Sequence, residues 1–121
     1  MKSQIQRLVY PGGTEAAIGR VWCAFSMWAR MKGLLGRKGL AEGEWLWLKP
    51  CGAVHTVGMR FAIDVVFLDR DQRVVKVARG VKPWRWWVWG GWRARSALEG
   101  AAGAAGAYKV GMKVRMEEVR R

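Results

Sequence analysis

Hydrophobic positions alternate most clearly between Phe61 and Leu68. Phe61, Ile63, Val65 and Phe67 fall on one side of an extended chain, and Ala62, Asp64, Val66 and Leu68 on the other. With both sides apolar, the pattern predicts a central strand covered on both faces. Asp69-Arg70-Asp71-Gln72 predicts a tight turn, and Val74 to Ala78 the returning strand of a hairpin. Trp45-Leu46-Trp47-Leu48 predicts another strand, stopped at Pro50. Near the start, Ile5 to Tyr10 reads as a strand before the turn signal Pro11-Gly12-Gly13. One helix is expected over Ser26 to Leu35. Phe25, Trp28 and Leu35 fall near one face of it, Arg30, Lys32 and Arg37 elsewhere, with Ser26 as N-cap and Gly36 as terminator.

Pro83 opens a tryptophan-rich segment, KPWRWWVWGGWRAR, that reads as extended chain broken at Gly90-Gly91. Ala94 to Glu99 predicts a further strand. The small-residue run Gly100 to Tyr108 predicts a short helix or turn packed closely on another backbone. Val110 to Val119 contains a last strand with basic residues on its exposed side. No repeat or linker divides the chain, so residues 1–121 form a single domain. The fold class is mainly β (α+β), a compact, small, barrel-like or strongly curved antiparallel or mixed sheet with one or two short helices. A closed or nearly closed barrel would remove edge strands economically.

Composition sharpens this in one respect. Lys and Arg number 22 against 9 Asp and Glu, a formal net charge of +13. That balance attracts polyanions, such as nucleic acid or an anionic membrane surface, or an acidic protein partner, although it also serves solubility alone. Cys23 and Cys51 make no disulfide framework, and reduced thiols are expected for both. The first residues lack the apolar core of a signal peptide, and no apolar run approaches the roughly 18 residues of a transmembrane segment. The chain reads as soluble and cytoplasmic.

Asp64 is the first candidate for chemistry. A carboxylate among Ala62, Val66 and Leu68 loses solvation and has to be paired, hydrogen-bonded or neutral. One reading has Asp64 orient His55, the only imidazole, as a base or ligand-binding donor. The other has Asp64 tie down the Cys51–Met59 loop through backbone amides. His55 lies in a glycine-bounded segment before the central strand, a position suited to binding or proton transfer. Cys51 and His55 stand four residues apart, and zinc would need two more ligands, so no metal is expected. Asp69 and Asp71 lack the rest of a calcium loop and read as turn residues. Glu99 either joins the His55 site or pairs with an arginine. No cofactor is implied, because neither a phosphate loop nor a Gly-x-Gly-x-x-Gly motif is present.

The tryptophan-rich segment supports three readings. Arg85, Trp87, Trp89, Arg93 and Arg95 could form a stacking platform for single-stranded nucleic acid. They could equally sit at a membrane interface, where tryptophan favours the headgroups. The reading taken here is structural: the tryptophans plug one end of a barrel while the arginines snorkel outward.

In order along the chain stand Arg30-Met31-Lys32-Gly33-Leu34-Leu35-Gly36-Arg37, Pro50-Cys51, His55-Thr56, Met59-Arg60-Phe61, Ile63-Asp64-Val65-Val66-Phe67-Leu68-Asp69, Lys82-Pro83-Trp84-Arg85 and Leu98-Glu99. This ordered set resembles the domain-of-unknown-function 192 family of small bacterial and archaeal proteins, over about residues 16 to 118. The resemblance implies a compact, mainly β fold with short helices and no established activity. It also marks His55, Thr56, Met59 and Asp64 as signature positions. The chain departs from the family pattern at Gln72, where a turn glycine is common, at the run Trp86 to Trp89, and at Met112-Lys113.

Two classes of function follow. One is a non-catalytic binding or accessory protein with a pocket of His55, Thr56, Met59, Arg60 and Asp64 and a basic face toward a partner. In one form of it, the Arg/Trp-rich segment binds nucleic acid or an anionic surface. The other is a small acid–base or hydrolytic enzyme that uses His55 oriented by Asp64. The binding class comes first, because the sequence shows no complete catalytic set.

Overall fold

Strand formation follows the density of β-branched and aromatic residues, and the turns follow glycine. The computed structural model describes residues 3–24 and 40–119. They form nine strands: β1 Ser3–Val9, β2 Glu15–Ala24, β3 Glu44–Leu48, β4 Ala53–Val54, β5 Ile63–Leu68, β6 Val74–Val81, β7 Val88–Trp89, β8 Ser96–Ala101 and β9 Lys113–Glu118. Seven of them make one mixed sheet in the order β6-β5-β8-β3-β2-β1-β9, and β4 with β7 makes a separate two-stranded ribbon. Only β2 and β3 pair in parallel; the other pairings are antiparallel.

The central strand behaves as its pattern predicts. All six residues of β5 are buried between β6 and β8. Ile63, Val65 and Phe67 join Leu46, Leu48, Met59, Val88 and Ala97 in one apolar cluster. Val66 and Leu68 join Leu8, Val21, Trp45, Trp47, Leu98, Tyr108 and Val114 in a second, on the other side of the sheet. The β4–β7 ribbon supplies Val54 and Val88 to the first cluster, so that face is capped by the ribbon and its loops. The hairpin turn also forms as expected. Asp69 Oδ1 accepts from the Asp71 and Arg73 amides at 2.9 and 3.0 Å, and Gln72 takes a left-handed φ of 61° in the place of a turn glycine.

One strand was not anticipated, and two expectations are corrected. The segment over β2 carries no clear alternation, yet Glu15–Ala24 is the longest strand. Its register with β1 slips at Gln6/Arg7, opposite Gly19, and this irregularity blurs the period of two. The sheet is not a closed barrel. Its edges β6 and β9 meet at one end only, through the Arg73–Lys113 bridge and the hydrogen bonds Val74 N–H to Met112 O, Gly111 N–H to Val74 O and Val114 N–H to Gln72 O. Beyond that point Arg79 donates to the carbonyls of Ala105 and Tyr108, which sets the 102–107 turns against β6 where further pairing with β9 would run. Nor does any helix occur among the described residues. The small-residue run after β8 is a series of turns, and the helix expected over Ser26 to Leu35 lies outside the described residues.

Candidate functional site

The loop between β4 and β5 carries most of the signature residues. Thr56 is fully buried and serves as a junction. Its hydroxyl donates to Lys82 O at 2.6 Å and accepts from the Arg85 amide at 2.9 Å. Its backbone N–H donates to Arg85 O, and its carbonyl accepts from the Trp84 and Met59 amides. Met59 is buried in the apolar cluster beneath the ribbon, whereas Arg60 is exposed. His55 is half-buried, and its Nδ1 accepts from the Val57 amide at 3.3 Å. Thr56 and Met59 thus hold the loop to its neighbours and to the core.

Asp64 belongs elsewhere. Its place in β5 turns its side chain away from the cluster that holds Met59 and toward the face of Val66 and Leu68. Oδ1 accepts from the Gly80 amide at 2.8 Å, and Oδ2 from the Gly103 and Ala105 amides at 3.0 and 2.9 Å. Neither His55 nor Arg60 is among these partners. Asp64 is a tie, but for β6 and the 102–107 turns rather than for the Cys51–Met59 loop. The five expected pocket residues therefore do not converge on one cavity.

Glu99 is fully buried on β8, opposite Leu46 on one side and Val65 on the other. Cys23 and Cys51 are not joined in a disulfide. Burial pushes the Cys23 thiol up, with Lys49 pulling the other way, so it is protonated at neutral pH and a poor nucleophile. Among the described residues no three His, Cys, Asp or Glu side chains cluster closely enough to hold a metal ion.

The tryptophan-rich segment is where structure and expectation part most widely. Trp84, Trp86, Trp87, Trp89 and Trp92 point outward, with exposures from 41% at Trp89 to 86% at Trp92. They do not plug the sheet. The interior is already filled by Trp45, Trp47, Leu98 and Tyr108, the Trp45 and Tyr108 rings lying 5.3 Å apart. Arg85, Arg93 and Arg95 are exposed among the tryptophans, as is Lys82. Trp84, Trp86 and Trp92 are exposed as Trp87 and Trp89 are, and the signal for them was the same tryptophan density of the segment.

Residues 82–95 are held to the signature loop at several points. Besides the Thr56 bonds, Gly90 N–H donates to Gly52 O at 2.9 Å, Cys51 N–H donates to Arg95 O at 2.8 Å, and Val54 and Ala53 pair with Val88 and Trp89. Lys76 on β6 reaches Trp89 O at 2.7 Å. At Gly90 a Cβ would run into the Phe67 ring and the Ala94 methyl, so the ribbon closes tightly on the sheet there. The backbone beneath the exposed indoles is thus fixed by the loop that carries His55 and Thr56.

The sequence model of a family described only as an uncharacterised ACR matches residues 9–117. No curated protein matches the sequence significantly. Two solved structures share the fold. A candidate transcription regulator from Sinorhizobium meliloti 1021 is 16% identical, with a TM-score of 0.82 over 94% of this chain and 93% of its own. A protein of unknown function from Novosphingobium aromaticivorans DSM 12444 is 21% identical, with a TM-score of 0.78 over 92% of this chain and 83% of its own. At these identities the likeness concerns the fold alone.

Proposed function

This chain belongs to the domain-of-unknown-function 192 family, and we propose that it is a non-catalytic binding protein that engages a polyanionic partner through the face of residues 82–95. The observation that carries this reading is the outward set of five tryptophans with Arg85, Arg93 and Arg95 exposed among them. Five large aromatic residues, each with 41% or more of its surface exposed, lie within the nine residues 84–92. Monomers rarely leave more than a few hundred Å² of contiguous apolar surface uncovered, and larger patches mark interaction sites. The guanidinium groups and the net charge of +13 select an anionic counterpart.

In this reading the signature loop is a mount. Thr56, Gly52 and Cys51 hold the backbone of the binding segment, which lowers the ordering cost of association. The acid–base reading loses support, because both oxygens of Asp64 are occupied by backbone amides and His55 lacks that carboxylate as its orienting partner.

Retention on heparin, a generic polyanion, tests the reading. The Arg85→Ala, Arg93→Ala, Arg95→Ala triple variant is expected to elute at markedly lower salt than wild type. A Lys109→Ala, Lys113→Ala, Arg115→Ala variant, on β9 and the turn before it at the far edge of the sheet, removes the same number of charges and serves as control for charge alone. Equal loss of retention in both variants would show that net charge, not this face, binds.

A further inference from the structure

The chemistry of the 82–95 face singles out one partner more narrowly. Building on the reading above, we propose that the partner is an anionic lipid surface, on which the five tryptophans seat at headgroup depth while the arginines contact lipid phosphates.

Residue type is the first argument. Among the described residues every large aromatic that is exposed is a tryptophan, with no exposed phenylalanine or tyrosine. Tryptophan combines a broad apolar ring with one N–H donor, and it prefers the boundary between acyl chains and headgroups. Arginine next to such rings offers a planar fork of donors that matches phosphate. In the order Trp84-Arg85-Trp86-Trp87 and Trp92-Arg93-Ala94-Arg95 the two chemistries alternate along the chain, and all of these tryptophans and arginines are exposed.

Ring geometry is the second. Trp89 and Trp92 pack edge to face, with centroids 5.0 Å apart and planes at 88°. That contact occupies a ring face that a base would otherwise stack on. A packed pair of indoles suits a fluid interface, which adapts to any apolar outline.

Placement is the third. The face caps the outer side of the sheet, on the ribbon that covers Ile63, Val65 and Phe67. Val88 turns inward and Trp89 outward, so the ribbon has one side in the core and one side free to enter a membrane surface. No helix of the described residues is long and apolar enough to cross a membrane, so attachment here would be peripheral.

Vesicle co-sedimentation tests the proposal, with phosphatidylcholine vesicles prepared with and without phosphatidylserine. Wild type should sediment with the anionic vesicles, and its tryptophan emission should shift to the blue as the indoles leave water. The Trp86→Ala, Trp87→Ala, Trp92→Ala variant alters only exposed side chains and should keep its fold by circular dichroism. Its partitioning should fall by about tenfold or more. The Arg85→Ala, Arg93→Ala, Arg95→Ala variant should lose most of the dependence on phosphatidylserine and on salt. A thymidine oligonucleotide, mixed with the same proteins, separates the alternatives. Oligonucleotide binding with inert vesicles would overturn the lipid proposal and leave the polyanion reading standing. Vesicle binding that survives the tryptophan substitutions would also overturn it, by placing the contact elsewhere. Loss of both, together with heparin retention indifferent to the arginines, would bring down the earlier reading itself.

Discussion

At the scale of single residues, Asp64 shows how a buried charge can be an architectural part. One carboxylate gathers amides that lie 16, 39 and 41 residues further along the chain, and it fixes both the end of β6 and the turns after β8. Asparagine is nearly the same size but offers one oxygen and one NH2. Facing three donors, it leaves at least one of the amides of Gly80, Gly103 and Ala105 opposite another donor. Asp64→Asn should therefore lower stability by about 1–3 kcal/mol. Urea unfolding beside wild type measures this, and amide exchange should accelerate first at those three positions. An unchanged midpoint would mean that the charge contributes nothing to the fold. Tyr108 makes a complementary point. Burial pushes its hydroxyl well above the usual range, so it stays a donor, and it donates to Gln6 inside the second cluster.

At the scale of elements, alternation was legible where strands are regular and buried on both faces. β5 announced itself through Ile63, Val65 and Phe67 against Val66 and Leu68, and β3 through its unbroken Trp-Leu-Trp-Leu. β2 escaped because the register slip near Gly19 spoils its period. The short β4 escaped because two residues carry no period at all, whereas β7 falls in the segment read as extended chain and stops before Gly90. The site was less legible than the fold, since the partners of Asp64 are backbone amides and leave no residue signature. β8 gives a further test of packing between strands. A Cβ on Gly100 would stand 2.7 Å from the ring of Trp45, which is itself buried and in contact with Tyr108. The rigid indole has no room to yield, so Gly100→Ala should destabilise by about 1–3 kcal/mol. Thermal unfolding measures it, and a Trp45→Phe background should recover part of the loss, because the smaller ring frees the space.

At the scale of the whole molecule, one composition was compatible with two opposite arrangements. Nine tryptophans in 121 residues could fill a barrel or coat a surface. What decides between them is volume. Trp45 and Trp47 already occupy the second cluster with Tyr108 and Leu98, and five more indoles are left exposed on β7 and the loops beside it. No window of sequence contains that constraint, because it depends on strands from both halves of the chain meeting in one core. The arrangement has a consequence for small ions. A surface of exposed indoles beside Arg85, Arg93 and Arg95, on a molecule of charge +13, concentrates anions and repels cations near the rings. Iodide should quench the tryptophan fluorescence much more efficiently than caesium. The gap should narrow at about 1 M inert salt, where the screening length falls to roughly 3 Å. Removing the three arginines should narrow it too, at low salt, while acrylamide, being neutral, should quench wild type and variant alike. If iodide and caesium quenched wild type equally, the arginines would not govern the field at the indoles, and a polyanionic partner would lose its electrostatic basis.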